Sequence, residues 1–455
     1  MSGTSPVSGT SPMSGTSPMS GAAAGRGLLI DGAGAIATMQ GGMRRGPSQG
    51  QVELIRGKDL AVACWDDKIV AAGPADDVHR RIAVAGQSLE SFVRVDADGG
   101  LVTPGLIDAH THLVFAGTRE LEWQLRARGA GYLEVLAAGG GILSTVAATR
   151  AASDRDLLAG ARQRLAEMLA CGTTTAEAKS GYGLDAATEL RMLAAIGRLD
   201  AEGPVELVPT YLGAHAVPAE YRARANGTDA FVAHIVEDEL PLVAEQGIAR
   251  FCDVFCEEGV FTAVQTARIL AAASRLGLQL RIHADELAPS GGAELAAEMG
   301  CLSADHLAAP SEAGIEALAR SAAGARPVVA TLLPATSWFL GKHHFAPARR
   351  FIDAGVPVAL ATDLNPGTSP TVALPLVMSI ACLEMGLTPA EALCGVTINA
   401  AYSLGMGDTI GSIEPGKQAD VVVWEVSTVE QLPYWLGTRP ARTVVKRGRV
   451  VFERG

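Results

Sequence analysis

Short apolar runs alternate with longer amphipathic segments between residues 102 and 362. The longer segments repeat their apolar positions with helical period, whereas the short runs are bounded by Gly, Pro and polar residues, as strands are. This alternation predicts repeated strand–helix units, and eight of them are typical of a TIM-like (β/α)8 barrel of the α/β class. Strands are predicted at residues 102–113, 173–179, 205–212, 250–256, 279–284, 301–307, 327–333 and 356–362, and helices at residues 154–170, 186–200, 231–245, 262–276, 292–299 and 311–320.

The two ends of the chain share a different pattern. Short β-branched runs broken by Gly, Pro and Asp fill residues 27–102, and the same pattern resumes at residues 419–424 and 442–451. Such runs predict strands. We therefore expect one small β-sandwich domain built from both ends, at residues 26–102 and 410–455, with the barrel inserted between them at residues 103–409.

The first 25 residues repeat the sequence Ser-Gly-Thr-Ser-Pro, beginning at Ser2, Ser8 and Ser14. A tract of Gly, Ser, Thr and Pro buries too little apolar surface to offset the entropy lost on ordering, so we predict disorder for residues 1–25. The tract lacks the basic start and apolar run of a secretory signal. The most apolar later stretches are interrupted by Pro334 and Pro375 and are too short for a membrane span, so no membrane association is expected.

The net charge of −12 argues against nucleic acid as a partner, because nucleic-acid binding depends on Lys and Arg neutralising phosphates. Seven cysteines are an odd number and include no C-x-x-C pair. We expect them to be reduced thiols packed in the interior, Cys252 and Cys256 among them, and the protein to be cytoplasmic.

Ionisable residues lie near the end of almost every predicted barrel strand. In a (β/α)8 barrel the carboxyl ends of the strands form one mouth, where the active site lies. We therefore expect these side chains to converge. They are Asp108, His110, His112, Glu177, Lys179, His215, Asp253, Glu257, His283, Asp285, Glu286, Asp305, His306, Asp363 and Asn365.

His110 and His112 alternate along one strand and therefore point to the same side. Alone, this pair predicts a metal site only weakly, since two hydrogen-bonded histidines near a strand end are the alternative. His283 at the end of a later strand and Asp363 at the end of the last one complete a set of three imidazoles and a carboxylate. That set suits one divalent ion, zinc or iron, with room for a water.

Residues 104–112, PGLIDAHTH, together with the later His and Asp, resemble the metal-dependent amidohydrolase superfamily. Within it, residues 101–420 are closely similar to imidazolonepropionases. The phrases that carry this resemblance are HTHLVFAGTRE (110–120), GGGILSTV (139–146), EAKSGYGL (177–184), YLGAHAVP (211–218), DVFCEEGVF (253–261), IHADE (282–286), SADHL (303–307), LLPATSWFL (332–340) and TDLNPGTSP (362–370). The N-terminal repeat has no counterpart in the family pattern.

The resemblance implies a cyclic amidohydrolase of histidine degradation that opens the ring amide of 4-imidazolone-5-propanoate to give N-formimidoyl-L-glutamate with a metal-activated water. We expect a homodimer whose only other partner is this small-molecule substrate. Asp363 would accept the proton of the water, Glu286 would protonate the leaving nitrogen, and His306 would stabilise the carbonyl oxygen. Substrate recognition carries over to Arg119, Tyr182, His215, Glu286, Asn365, Gly367 and Thr368.

Other interpretations remain open. A hydantoinase-like enzyme or an aminohydrolase would use the same metal set, and an inactive barrel could serve as a binding or scaffold protein. Arg119 could instead pair with Glu120 or Glu122, and His306 with Asp305. We expect Lys179 to balance charge rather than to bind metal. His234 is expected on a solvated helix, His343 and His344 in an exposed loop, and residues 139–141 in a flexible or lid-like turn.

Overall fold

A computed structural model of the chain describes residues 27–129 and 139–455. The N-terminal repeat, for which we predict disorder, lies outside these residues. The strands are β1 (Gly27–Ala37), β2 (Leu54–Trp65), β3 (Lys68–Pro74), β4 (Phe92–Asp96), β5 (Leu101–Pro104), β6 (Leu106–Asp108), β7 (Thr173–Lys179), β8 (Glu206–Ala214), β9 (Phe251–Cys256), β10 (Gln279–Ala284), β11 (Ser303–His306), β12 (Val329–Leu332), β13 (Val358–Leu360), β14 (Val421–Trp424), β15 (Ala441–Lys446) and β16 (Arg449–Glu453).

Helices cover most strand-to-strand connections of the middle region. Those in the described residues are α1 (Ala75–Val84), α2 (Glu120–Ala127), α3 (Ile142–Ala151), α4 (Asp154–Ala170), α5 (Ala186–Glu202), α6 (Ala219–Arg222), α7 (Gly227–His234), α8 (Leu240–Gln246), α9 (Ala263–Arg275), α10 (Gly292–Met299), α11 (Glu312–Ala322), α12 (Pro334–Phe339), α13 (Ala348–Asp353), α14 (Leu374–Glu384), α15 (Pro389–Gly395), α16 (Ile398–Ser403) and α17 (Gln431–Tyr434). A π-helical turn, Ile235–Glu239, joins α7 to α8 where we had predicted one uninterrupted helix.

Strands β6 to β13 lie side by side in chain order, and every neighbouring pair is parallel. The chain closes the ring just beyond β6 and β13, where Thr111 bridges Leu364 in parallel. The backbone N–H of Asp363 also donates to the carbonyl of His110 at 3.0 Å. The predicted (β/α)8 barrel is therefore confirmed.

The barrel elements form where the sequence places their apolar faces. Every residue of β7 is buried, as expected for a parallel strand covered on both sides. Helix α4 begins at the N-cap Ser153, whose hydroxyl accepts from the Asp156 N–H, and it buries residues spaced by helical period, including Leu158, Ala161 and Leu165. The helices of the middle region pack their apolar faces against the outside of the barrel. The segments that connect strands to helices form its mouth.

Both chain ends contribute strands to one further sheet, which agrees with the predicted β domain built from both ends, although the strands form one connected sheet where we predicted a β-sandwich. β14 pairs with β5, and β5 pairs with β1, so the last strands continue the sheet that the first strands begin. Leu28 and Ile30 from the first part share a buried cluster with Val421 and Val423 from the second. The strands form a single connected sheet, because β1 pairs with β2, β4 and β5.

One element of this region was missed. Helix α1 lies in a stretch for which we predicted only strands, and it buries Ala75, Val78 and Ile82, whose spacing is helical. Six of the seven cysteines are buried and all are unpaired, as expected. No helix in residues 27–129 and 139–455 is long and apolar enough to cross a membrane.

Candidate metal centre and active site

The four predicted metal ligands meet at the mouth of the barrel. His110 and His112 follow β6, His283 lies in β10, and Asp363 follows β13. The Asp363 Oδ1 atom lies 3.5 Å from His110 Nε2 and 3.4 Å from His112 Nε2. The ring centres of His110 and His283 are 4.5 Å apart. Sequence positions separated by up to 253 residues therefore form one compact group of donor atoms.

Three of these donor atoms have no hydrogen-bond partner in the described residues, although they are buried. They are Nε2 of His110, Nε2 of His283 and Oδ1 of Asp363. A buried polar atom without a hydrogen-bond partner costs free energy. Several such atoms that lie close together therefore indicate a site for a bound ligand. Imidazole nitrogens and a carboxylate oxygen are suitable donors for a divalent ion such as zinc or iron. The residues present therefore fit a metal.

Two carboxylates lie beside the histidine rings, and that of Asp305 is hydrogen-bonded to His110. Asp305 Oδ2 lies 2.7 Å from His110 Nδ1, and Asp253 Oδ2 lies 2.9 Å from His283 Nδ1. A carboxylate on Nδ1 leaves Nε2 free to bind a metal, and such pairs are common in metal sites. Burial, and then nearby Lys179, hold the pKa of His110 well below its ordinary value, which favours the neutral imidazole that a metal requires.

Asp363 is positioned by its own neighbours. Its backbone adopts a left-handed conformation, φ 53°, which is uncommon for a residue other than Gly. The hydroxyl of Thr336 donates to Oδ2 at 2.5 Å and leaves Oδ1 facing the two histidines. Thr336 belongs to the phrase LLPATSWFL, but sequence analysis assigned it no role.

Lys179 lies beneath the metal centre in a fully buried ionic network. Its Nζ atom is 2.7 Å from Glu177 Oε1 and 2.7 Å from Asp253 Oδ2. Burial lowers the pKa of the Lys179 ammonium, but Asp253 and Glu177 outweigh burial and raise it above its ordinary value. Arg281 completes the network with a hydrogen bond of 3.0 Å to Asp305. These contacts agree with the expected charge-balancing role of Lys179.

His306 and His215 lie beside the metal centre. The ring centres of His306 and His283 are 5.0 Å apart, and His306 Nδ1 lies 3.6 Å from Glu286 Oε2. His306 therefore faces Glu286, whereas Asp305, its alternative partner, holds His110. The His215 ring stacks on that of His112 with centres 4.8 Å apart. Both histidines offer a nitrogen within 4.8 Å of predicted metal ligands, although we expect them to contact substrate instead.

The predicted substrate residues of the last barrel loop form a tight turn. Asn365 Oδ1 accepts hydrogen bonds from the backbone N–H groups of Gly367 and Thr368 at 2.9 and 2.8 Å. Its Nδ2 donates to the Asp363 carbonyl at 2.7 Å. The Asn365 side chain thus fixes the shape of the loop next to Asp363, a predicted metal ligand.

Arg119 reaches the same loop but is already paired. Its Nε and Nη2 atoms each donate to a different oxygen of Glu122 at 2.7 Å, and both side chains are buried to about nine-tenths. This is one of the two pairings that the sequence left open. A Cβ atom on Gly367 would lie 1.8 Å from Arg119 Nη1. The edge of the guanidinium at Nη1, which makes no hydrogen bond within residues 27–129 and 139–455, therefore lies next to this loop. The structure therefore places Arg119 at the site with one edge engaged by Glu122.

A narrow cleft adjoins the centre. Glu286 and His306 line one side, and Thr336 and Lys342 line another. We did not predict Lys342 as a site residue, because we expected its neighbours His343 and His344 in an exposed loop. Both histidines are exposed in a loop, as expected.

His234 lies outside the histidine cluster, whereas Tyr182, a predicted substrate contact, lies beside it. His234, at the end of α7, pairs with Asp238 at 2.7 Å and is partly exposed, in agreement with our expectation. Tyr182 is 2 % exposed, and its ring centre lies 5.7 Å from that of His112. Burial raises the pKa of Tyr182 above its ordinary value, so its hydroxyl remains protonated and can donate.

Known proteins with similar sequences identify the family of this chain. Residues 101–451 match the model of the amidohydrolase family. The imidazolonepropionase of Geobacillus kaustophilus (strain HTA426) is 51% identical over 85% of this chain and 88% of its own length. That of Bacillus velezensis (strain DSM 23117 / BGSC 10A6 / LMG 26770 / FZB42) is 47% identical over 94% of this chain and 97% of its own length.

Solved structures show the same fold at lower identity. An adenosine deaminase from Xanthomonas campestris with bound zinc has a TM-score of 0.66 at 21% identity, covering 94% of this chain and 93% of its own. The guanine deaminase of E. coli has a TM-score of 0.66 at 16% identity, covering 94% of this chain and all of its own. The chain belongs to the amidohydrolase family and, within it, to the imidazolonepropionases.

Proposed function

We propose that this protein is a metal-dependent cyclic amidohydrolase that hydrolyses the ring amide of 4-imidazolone-5-propanoate to N-formimidoyl-L-glutamate in histidine degradation. The observation that carries the proposal is the convergence of His110, His112, His283 and Asp363 beside Glu286 and His306, in a chain of the imidazolonepropionase family.

His110, His112, His283 and Asp363 would hold one divalent ion, zinc or iron. Such an ion lowers the pKa of a coordinated water and polarises a carbonyl, which is the chemistry that opening a stable ring amide requires. The protein's contribution is to orient the imidazoles, with the carboxylates of Asp305 and Asp253 beside their Nδ1 atoms.

Three side chains would move protons and stabilise charge. Asp363, whose carboxylate lies beside His110 and His112, would also accept the proton of the attacking water. Glu286 would carry a proton to the leaving ring nitrogen, and His306, 3.6 Å from it, would donate to the carbonyl oxygen as negative charge develops.

Recognition of the substrate would rest on the loops around the mouth of the barrel. Arg119 would bind the propanoate through its unpaired edge, since a carboxylate needs a cationic partner in a buried site. Tyr182 and His215 would contact the ring beside His112, with Glu286 on the opposite side. Asn365, Gly367 and Thr368 would form the remaining wall.

We further propose that the protein acts in the cytoplasm as a homodimer. Large apolar side chains that are exposed in the single chain offer a surface for a second copy. They include Trp338, Leu383, Tyr434, Trp435 and Leu436.

Elemental analysis combined with a turnover assay tests the proposal. Purified protein should contain about one zinc or iron per chain and should release N-formimidoyl-L-glutamate from freshly made imidazolonepropanoate. A parallel panel of hydantoin and a purine nucleoside should give negligible turnover. Efficient turnover of either panel compound, with none of imidazolonepropanoate, would replace the proposal with a hydantoinase-like or aminohydrolase activity. Full metal occupancy without turnover of any compound would favour a binding protein.

A further inference from the structure

The loop at residues 180–184 brings Tyr182 and His215 to the metal centre. Tyr182 lies on this loop, between β7 and α5. The carbonyl of Gly181 accepts a hydrogen bond from His215 Nδ1 at 2.9 Å, and the His215 ring then stacks on His112. The position of two predicted substrate contacts therefore depends on the shape of one short loop.

This loop has an unusual backbone conformation. Gly181 has φ 100° and Leu184 has φ 53°, both in the left-handed region. Leu184 is not glycine, so that conformation costs free energy and persists only where the surroundings enforce it. A Cβ atom on Gly181 would lie 3.0 Å from His215 Nδ1, so glycine is also required for the close approach of His215.

Glu189 supplies the restraint. Its Oε2 atom accepts from the Gly181 N–H at 2.8 Å, and its Oε1 atom accepts from the N–H groups of Gly183 and Leu184 at 2.7 and 2.9 Å. The side chain is fully buried. One carboxylate thus satisfies three backbone donors on both sides of Tyr182, and hydrogen bonds to a charged acceptor are among the stronger ones in proteins.

Helix capping does not account for Glu189. Asp185 is the N-cap of α5, where its side chain accepts from the Thr188 N–H. Glu391 shows what a capping carboxylate looks like in this chain, because it accepts from the Thr388 N–H at 2.8 Å and completes the capping box of α15. Glu189 makes no such contact with its own N-cap residue and is directed at the loop.

We propose that Glu189 is a positioning residue that sets the affinity for substrate by holding Tyr182 and His215 against the metal centre. This inference rests on the proposed function for its substrate, but the restraint itself belongs to the loop. Glu189 is neither a predicted metal ligand nor a predicted substrate contact, and it acts only through these two residues.

Glu189→Gln tests the proposal, with Glu391→Gln as a matched control. Glutamine keeps the shape but replaces one accepting oxygen by an N–H₂ group that faces backbone N–H donors. We expect Glu189→Gln to raise KM about tenfold, with kcat changed by less than about threefold and metal content unchanged. Glu391→Gln, also a buried carboxylate near a helix start, should lower the midpoint of thermal unfolding and leave KM unchanged.

Hydrogen–deuterium exchange of peptides that cover residues 180–184 provides a readout independent of turnover. Exchange there should be faster in Glu189→Gln than in the wild type and in Glu391→Gln. Unchanged exchange, an unchanged KM, or a loss confined to unfolding temperature would overturn the proposal. Wild-type protein without turnover of imidazolonepropanoate would instead overturn the proposed function, while exchange would still decide whether Glu189 orders the loop.

Discussion

His283 illustrates how one side chain of the centre depends on another. Asp253 Oδ2 lies 2.9 Å from its Nδ1 atom, and Nε2 is buried without a hydrogen-bond partner in the described residues. Burial lowers the pKa of His283, but Asp253 outweighs burial and raises it above its ordinary value. A metal ion bound at this ring would therefore compete with a proton for Nε2.

His283→Ala should remove most of the bound metal, because three remaining ligands do not close the coordination shell. We expect metal affinity to fall by at least about tenfold and turnover to fall with it. Elemental analysis after dialysis measures the first effect, and release of formimidoylglutamate the second. His234→Ala is the control, since His234 lies outside the centre and pairs with Asp238. A His283→Ala protein with full metal and normal turnover would remove His283 from the site.

Arg119→Lys should weaken substrate binding while metal content stays intact. A lysine ammonium cannot grip Glu122 through two parallel bonds and at the same time present a planar edge to a carboxylate. We expect a loss on the order of 1.5–3 kcal/mol in kcat/KM, mainly as a raised KM.

Glu122→Gln separates the two roles of Arg119. If pairing with Glu122 were its whole function, both substitutions would lower the unfolding temperature and neither would change KM. Near-normal kcat/KM in Arg119→Lys would therefore exclude binding of the substrate propanoate by Arg119. Loss of metal in that variant would show that Arg119 supports the centre structurally.

At the level of elements, the sequence predicts the strands better than the contacts between them. The bounds of β7, β10, α4 and α10 agree with the predicted residues, because each has a clear apolar period and flanking residues that end it. Asp253 was expected near the end of the strand at residues 250–256, and it lies within β9 with its side chain buried in the barrel. Its partners come from other strands, so only barrel closure brings them together. A charged residue inside an apolar strand was the available signal, since buried charges require partners.

The ionic network beneath the centre should therefore contribute to barrel stability. Lys179→Met would leave Asp253 and Glu177 buried without their shared cation, and removing one partner of a buried pair costs about 3–5 kcal/mol. We expect a clearly lower midpoint of thermal unfolding. Lys68→Met is the control, because the Lys68–Asp67 pair is about half exposed and such pairs contribute little. Equal midpoints for the two variants would mean that the network is not needed for stability.

At the scale of the whole molecule, a second buried ion cluster joins the sheet of the chain ends to the barrel. Lys446 in β15 lies 2.7 Å from Asp420 and 2.9 Å from Glu206, the first residue of β8. Its Nζ atom also donates to the Thr175 hydroxyl at 3.2 Å. Glu206 lies at the amino end of its strand, so this junction is on the side of the barrel opposite the metal centre. Substitutions at this junction can therefore change the contact between the sheet and the barrel without altering the candidate active site.

The junction predicts a specific dependence of stability on acid. Burial alone would raise the pKa of Glu206, but Lys446, with a further contribution from Gln418 and Arg447, lowers it to about 2. The folded state therefore holds the ionised form more strongly than the unfolded state, whose pKa is near 4.5. The resulting stabilisation, at most about 3 kcal/mol, is complete above pH 4.5 and is lost as the pH falls towards 2.

Glu206→Gln removes this titration and should lower the unfolding midpoint at neutral pH. Between pH 4.5 and 2 the midpoint of the variant should fall less than that of the wild type, so the difference between the two proteins should narrow. Glu202→Gln is the control, because Glu202 also pairs with arginines but at the exposed end of α5, where solvent screens the charges. Its midpoint should follow the wild type throughout. Parallel acid profiles for Glu206→Gln and the wild type would show that Lys446 and Glu206 do not stabilise the junction.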